Sequence, residues 1–329
     1  MKHFFKEHSV ISILFIAIVC LYITNCCKYF INNEIQNTAH LYETVNITHN
    51  QGTTEVPKYP QRIVVLDIGT LDSMDKLGIF VPEIATAKEF VPDYITGTVK
   101  QSNITDIGQL KNIDLEKISK FKPDLIIISG RQESYYDQLS KIAPTVDFSM
   151  DENYYLETFY HNLDNIGIIF DKKVEVSKAE HFISSRIKDI KEDYSAKSNK
   201  KGLFIMTTGN KIFGYGPGMR YGFLYSELGL NSVIEPTGNE DNKTPIGNIL
   251  SYDFIFSKNP DYIIVCDRDY AVNMGKSAEA LMDNDLIRKT NAYKNNKILY
   301  IDSATWYLYN GGITSTLRML KDIEFVLTD

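Results

Sequence analysis

The sequence predicts an α/β protein of two lobes, each built on a central, mainly parallel sheet, joined by one long helix. Three observations carry this expectation. Short runs rich in β-branched residues follow Pro-Asp turns, as buried parallel strands do: Leu125-Ile126-Ile127-Ile128 after Pro123-Asp124, and Tyr262-Ile263-Ile264-Val265 after Pro260-Asp261. Their contexts, Phe121-Lys122-Pro123-Asp124 and Lys258-Asn259-Pro260-Asp261, nearly repeat, which suggests two similarly built lobes. Between them, residues 171–197 contain neither Pro nor Gly and carry dense mixed charge. That stretch reads as one amphipathic helix, about 40 Å long at ~1.5 Å per residue.

The remaining elements follow in order. In residues 1–27, Lys2 and Lys6 precede a charge-free run from Val10 to Thr24, short for a spanning helix and suited to a signal-peptide core or membrane anchor. Residues 28–56 are polar and aperiodic, a tether with room for an early edge strand. Residues 57–171 form the N-terminal lobe: a strand over 62–67, a helix over 68–77 stopped by Gly78, a helix opening at Asn112, the strand from Leu125, a helix over 132–142 and a strand over 143–147. Alternation at this spacing means a parallel sheet. The connecting helix, 172–197, shows apolar residues at Val174, Ala179, Phe182, Ile183, Ile187 and Ile190 and makes a stiff link. Residues 198–329 form the C-terminal lobe, opening with a strand over 203–208 and alternating to Leu327.

A chain of 329 residues has room for two domains and a large core. Its net charge of −7 argues against nucleic acid, which selects a basic face. Of four cysteines, Cys20, Cys26 and Cys27 lie in the N-terminal segment. Cys266 sits alone inside a predicted strand and reads as a small core residue; no C-x-x-C with histidine partners exists for zinc. The counts of 21 tyrosines and 17 phenylalanines are high; much of that is core, but clustered tyrosine can also line a pocket for an aromatic or cationic ligand.

Three arginines stand out against the acidic balance. Arg131 and Arg268 each end a strand-like run, and Arg220 closes the turn Gly214-Tyr215-Gly216-Pro217-Gly218-Met219-Arg220. Ligands of open α/β sheets sit outside the carboxyl ends of the strands, so guanidinium forks delivered there meet an anion. A surface or lobe-stabilising ion pair is the commoner role for one such arginine; three in comparable positions bring the two readings level.

The combination of Gly130-Arg131, Gly214-x-Gly-Pro-Gly-x-Arg220, Asp267-Arg268 and Trp306-Tyr307-Leu308 resembles the helical-backbone, class III periplasmic binding proteins of iron–siderophore ABC importers. Within them it is most similar to the catecholate-binding group, over most of residues 57–327. The Lys-Pro-Asp strand is generic to that fold; the combination is specific. The resemblance implies a shallow cleft between lobes in which Arg131, Arg220 and Arg268 surround a trianionic ferric catecholate. Arginine suits that role because it keeps its proton and its planar fork reaches two oxygens at once. Tyr307 matches a tyrosine that ligates iron in some relatives, the alternative being core packing with a satisfied hydroxyl. Relatives that ligate iron pair this tyrosine with a histidine, a position that falls here on Ile246. All six histidines precede residue 200. Either a hexadentate complex fills the iron shell, or Tyr307 acts with water or another group. Glu116 and Glu227 match exposed glutamates that dock on permease arginines, the alternative being solvated helix residues. Ile23-Thr24-Asn25-Cys26 resembles a lipobox in which Asn25 is larger than usual, implying lipid on Cys26 or an uncleaved anchor.

The resulting expectation is an exported, monomeric, non-enzymatic receptor on the outer face of a bacterial cytoplasmic membrane, or periplasmic. It has no intrinsic cofactor, binds an Fe(III)-siderophore and hands it to an ABC permease. Other anionic chelates (haem, a corrinoid, ferric citrate) are the alternative ligands. An enzyme on a related metallocluster fold is the rival class, and it would need several Cys or His at strand ends.

Overall fold

The structure, a computed structural model, describes residues 43–151, 154–197, 199–236 and 247–327. An antiparallel hairpin, β1 (Thr44–His49) and β2 (Gly52–Pro57), opens it. Ile47 and Val56 of this hairpin are fully buried, and Asn165 donates to the Thr48 carbonyl at 2.9 Å. The tether expected over 28–56 is therefore too long: from Thr44 onward the chain belongs to the N-terminal lobe. Threonine and asparagine on the outer face hid the alternation.

The N-terminal sheet comprises β3 (Arg62–Val65), β4 (Glu83–Thr86), β5 (Asn103–Asp106), β6 (Leu125–Ile128) and β7 (Thr145–Asp147) in the order β5-β4-β3-β6-β7, every pair parallel. In the C-terminal sheet, β8 (Lys201–Thr208) lies between antiparallel β9 (Lys211–Tyr215) and parallel β12 (Tyr262–Asp267). The short strands β10 (Asn231–Ser232) and β11 (Asn248–Ile249) join β8 and β9, and β13 (Ile298–Tyr300) extends the parallel side.

The repeated Pro-Asp has a structural reason. Asp124 accepts from the backbone N–H of Gln61 at 2.7 Å and of Arg62 at 3.2 Å, which registers β6 against β3. Asp261 accepts from the N–H of Lys201 at 2.9 Å, registering β12 against β8. Both aspartates follow a helix closed by a left-handed residue, Lys122 (φ 52°) and Asn259 (φ 44°). One local device thus aligns the central strand pair of each lobe.

The connecting helix runs over Lys173–Lys197. Its buried face is Val176, Ile183, Ile187, Ile190 and Tyr194, whereas Val174 and Phe182, expected on the apolar stripe, are 64% and 56% exposed. The expected helix over 132–142 is instead a 3-10 turn (Glu133–Tyr135) and a single turn of helix (Tyr136–Leu139). Its start is pinned as a turn because the Gln132 carbonyl oxygen of the side chain accepts from the Ser129 N–H at 3.1 Å.

The lobes meet a second time. The C-terminal helix Ile313–Leu327 crosses back onto the helix Ile68–Lys76 of the N-terminal lobe and onto the connector. Tyr155 of the first lobe stacks on Phe223 of the second at 4.7 Å, and Phe223 on Trp306 at 6.1 Å, so one apolar core runs through both. Among the described residues no helix is long and apolar enough to cross a membrane. Residues 1–27, with Cys26, lie outside the described residues.

Candidate ligand cleft

Each arginine is presented by a locally determined turn. After β6 the chain turns at Gly130, and the fully buried Gln132 side chain folds back on Ser129 and donates to the Leu110 carbonyl, leaving Arg131 directed outward from the strand end. In the glycine turn, Met219 N–H donates to the Gly216 carbonyl at 3.2 Å, and Gly218 and Tyr221 take left-handed φ of 76° and 64°. A non-glycine residue in that region costs on the order of 1 kcal/mol. Here the Tyr221 ring is held between Phe204 at 4.4 Å and Tyr215 at 5.3 Å, and its burial offsets the strain. Asp267 ends β12 and accepts from the N–H groups of Asp269 and Tyr270, capping the short helix Arg268–Ala271, and from those of Ser277 and Ala278. Arg268 leaves from the first residue of that helix.

The three guanidiniums converge on Tyr307, the last residue of the helix Ser303–Tyr307. Arg131, from the other lobe, donates to the Tyr307 carbonyl at 2.6 Å; Arg220 donates to the same oxygen at 3.3 Å. Arg268 Nε donates to the Tyr307 hydroxyl at 3.0 Å. The guanidinium carbons of Arg131, Arg220 and Arg268 lie 5.5, 4.8 and 5.5 Å from the phenol ring centre, within cation–π reach. The preceding residue, Trp306, faces the other way and is fully buried, its Nε1–H donating to Asp322 at 2.8 Å.

The electrostatics follow from this crowding. Burial pushes the Tyr307 phenol up, but the Arg268 hydrogen bond and the charges of Arg268, Arg220 and Arg131 outweigh it, and the phenol ionises more readily than a free tyrosine. Burial, then the neighbouring Arg220 charge, lowers the Arg131 guanidinium from its ordinary value. Two carboxylates flank the cluster, Asp269 at 3.9 Å from Arg268 and Asp67 near Arg131. Burial pushes the Asp67 carboxyl up to about 6, against the opposing pull of its Thr70 hydrogen bonds and of Arg131. Burial likewise raises the Cys266 thiol to about 12, leaving it inert at neutral pH. Among the described residues no group of three or more His, Cys, Asp or Glu could hold a metal ion.

The sequence profile of the periplasmic binding protein family matches residues 63–305. The chain belongs to that family. It is 36% identical to the petrobactin-binding protein YclQ of Bacillus subtilis over 95% of this chain and 97% of that one. It is 30% identical to the ferric-anguibactin-binding protein FatB of Vibrio anguillarum over 94% and 95%. The crystal structure of YclQ superposes with a TM-score of 0.79, covering 87% of this chain and 99% of the other. The periplasmic catecholate-siderophore binding protein VctP of Vibrio cholerae superposes with 0.76 at 30% identity, covering 86% and 100%. The two-lobed fold with a long connecting helix is that of class III periplasmic binding proteins.

Of the residues singled out from sequence, Arg131, Arg220, Arg268 and Tyr307 thus form one cluster. Glu116 is exposed on the helix Leu115–Phe121, 2.6 Å from Lys120; Glu227 is half-buried at the end of the helix Phe223–Ser226. Ile246 lies outside the described residues. Sequence reasoning missed Asp67 and Thr208, which stands 3.4 Å from Arg268. The Asp67-x-x-Thr70 capping pattern at the end of a predicted strand was the available signal for Asp67.

Proposed function

We propose that this protein is an extracytoplasmic receptor that binds a ferric catecholate siderophore and delivers it to an ABC permease. The observation that carries the reading is the convergence of three guanidiniums from both lobes on one tyrosine at the strand ends. Like charges gathered there in a chain of net charge −7 need a polyanion to justify their proximity. A trianionic iron tris-catecholate supplies it, offering paired oxygens to guanidinium forks and ring faces to their planes. The names of YclQ, FatB and VctP support a siderophore, and that of VctP a catecholate.

Tyr307 has the character of an iron ligand: a hard oxygen donor whose ionisation the arginines favour. With Ile246 in the histidine's position, the reading favours hexadentate complexes that fill the iron shell themselves. Glu116 and Glu227 are the permease-docking pair, and Cys26 carries the lipid that holds a monomeric receptor at the membrane. Charge reversal of either glutamate then lowers uptake without changing ligand affinity. Mass spectrometry of the mature amino terminus is expected to find lipid on Cys26; a mature chain that still carries Met1, or an unmodified Cys26, overturns that assignment.

Trp306, the single tryptophan, precedes Tyr307 in the chain, and although its ring is buried behind the cleft its emission is close enough to be quenched by energy transfer to a coloured ferric complex bound there. Titrations with a ferric tris-catecholate, ferric citrate, haem and a corrinoid rank the ligands. Saturable quenching by the tris-catecholate at the lowest concentration is expected; quenching by haem alone overturns the reading.

A further inference from the structure

The helix Ile68–Lys76 holds a carboxylate that the cleft chemistry does not use. Asp72 is 1% exposed, in the middle of that helix in the N-terminal lobe. Its Oδ1 accepts from the Thr314 N–H at 3.0 Å and its Oδ2 from the Ser315 N–H at 2.6 Å. The neighbouring Ser73 hydroxyl accepts from the Ile313 N–H at 3.2 Å, and the Tyr94 hydroxyl donates to Asp72 Oδ2 at 3.3 Å. Three successive backbone donors at the start of the C-terminal helix are therefore met by side chains of the other lobe. Helices are ordinarily capped by the residue just before them. Gly312 holds that place here, and a Cβ on it would lie 2.4 Å from Asp72 Oδ2.

The contact is close along its length. A Cβ on Gly69 would meet the Asn310 carbonyl oxygen at 2.8 Å, and the Gly311 N–H donates to the Tyr155 hydroxyl at 3.1 Å. Only a short link separates this clamp from Tyr307, and its start is closed by the N–H groups of Leu308 and Tyr309, both donating to the Ala304 carbonyl. At the cleft end, Arg131 of the N-terminal lobe reaches the Tyr307 carbonyl at 2.6 Å. The same short segment is thus gripped by the N-terminal lobe at both ends.

We propose that Asp72 is a positioning residue for the cleft: by capping the C-terminal helix across the lobe boundary, it fixes the Tyr307 segment against Arg131 and presets the spacing of the three guanidiniums. The consequence for binding rests on the arginine cluster being the ligand site; the positioning of Tyr307 does not.

The test uses Asp72→Asn in the full chain. Asparagine keeps one acceptor and turns an amide donor toward a backbone N–H, breaking half the clamp. Two readouts are taken: Kd for the iron(III) complex of a synthetic tripodal tris-catecholamide, and the 19F resonance of 3-fluorotyrosine placed at 307 in the unliganded protein. Ile126→Ala, in the core of the N-terminal sheet, serves as a control of comparable thermal destabilisation. Asp72→Asn is expected to raise Kd at least about fivefold, the low end of ordinary coupling between sites, and to shift the 307 resonance. Ile126→Ala moves neither. Ser73→Ala, which removes only the Ile313 bond, moves both the same way by less. Wild-type Kd and resonance in Asp72→Asn, or equal losses in Asp72→Asn and Ile126→Ala, overturn the proposal. If wild type does not bind the complex, the functional reading fails, while an unmoved 307 resonance separately refutes the positioning.

Discussion

Replacing Arg131 by alanine separates a binding arginine from a structural one, because the two roles give opposite signatures. The substitution removes the hydrogen bond to the Tyr307 carbonyl and the cation–π contact with its ring. Together these are worth about 2–4 kcal/mol. It also ends a repulsion. Arg131 and Arg220 donate to the same carbonyl at 2.6 and 3.3 Å, so their terminal nitrogens stand at most about 6 Å apart. Two unit charges at that spacing repel by about 3 kcal/mol at an effective dielectric of ~20, and by less with the solvent screening of half-buried groups. Loss and relief nearly cancel, and the melting temperature is expected to move by no more than about 3 °C. Affinity behaves differently. A charge-assisted contact to a trianion disappears with nothing to replace it, which costs about 1.5–3 kcal/mol, or roughly 10- to 150-fold in Kd. Thermal unfolding and Trp306 quenching by a ferric tris-catecholate measure the two quantities on one sample. A large fall in melting temperature with wild-type affinity would refute the reasoning and make Arg131 a lobe-stabilising residue.

Three further outcomes are expected. Asp67, whose carboxyl is raised to about 6 in the folded chain, holds its proton more tightly than in the unfolded chain. Its contribution to stability is thus full below about pH 4 and lost as pH rises through about 6. Asp67→Asn keeps the cap to the Thr70 N–H and has no proton to lose, so urea midpoints of wild type and variant should diverge over that window; parallel curves contradict the assignment. Gly69→Ala sets a Cβ 2.8 Å from one backbone atom and 2.9 Å from another, and should lower stability by about 1–3 kcal/mol in a thermal melt. An unchanged midpoint would mean the lobes do not approach so closely. Ile246→His should tighten binding of a tetradentate ferric catecholate and shift its charge-transfer band, and adding Tyr307→Phe should abolish the gain; a gain that survives Tyr307→Phe excludes the paired ligation.

The parts of this molecule legible in the sequence are those fixed by local chemistry. The strands after Pro123-Asp124 and Pro260-Asp261 stood out because each aspartate must register a neighbouring strand, a demand that leaves the same residues in both lobes. The arginines were legible because glycine turns and strand ends punctuate the chain beside them. The long helix showed its period but not its face: Val174 and Phe182 look as apolar as Ile183, and only the packing partner decides which are covered. The hairpin Thr44–Pro57 was legible only as room for an early edge strand, because threonines that pair well in strands look polar in a string. Asp72 gave no local signal at all, since the backbone groups it caps arrive 242 and 243 residues later. A cluster of Arg131, Arg220 and Arg268 around a ligand was expected from resemblance, whereas their convergence on Tyr307, with its carbonyl shared by two of them, required the fold.

Diffraction at the iron absorption edge from crystals grown with a ferric tris-catecholate tests the central claim most directly. The account predicts one strong anomalous peak in the cleft beside Tyr307, with catecholate oxygens in hydrogen-bonding reach of Arg131, Arg220 and Arg268. An iron peak away from all three guanidiniums, in crystals where the complex is bound at full occupancy, would contradict it.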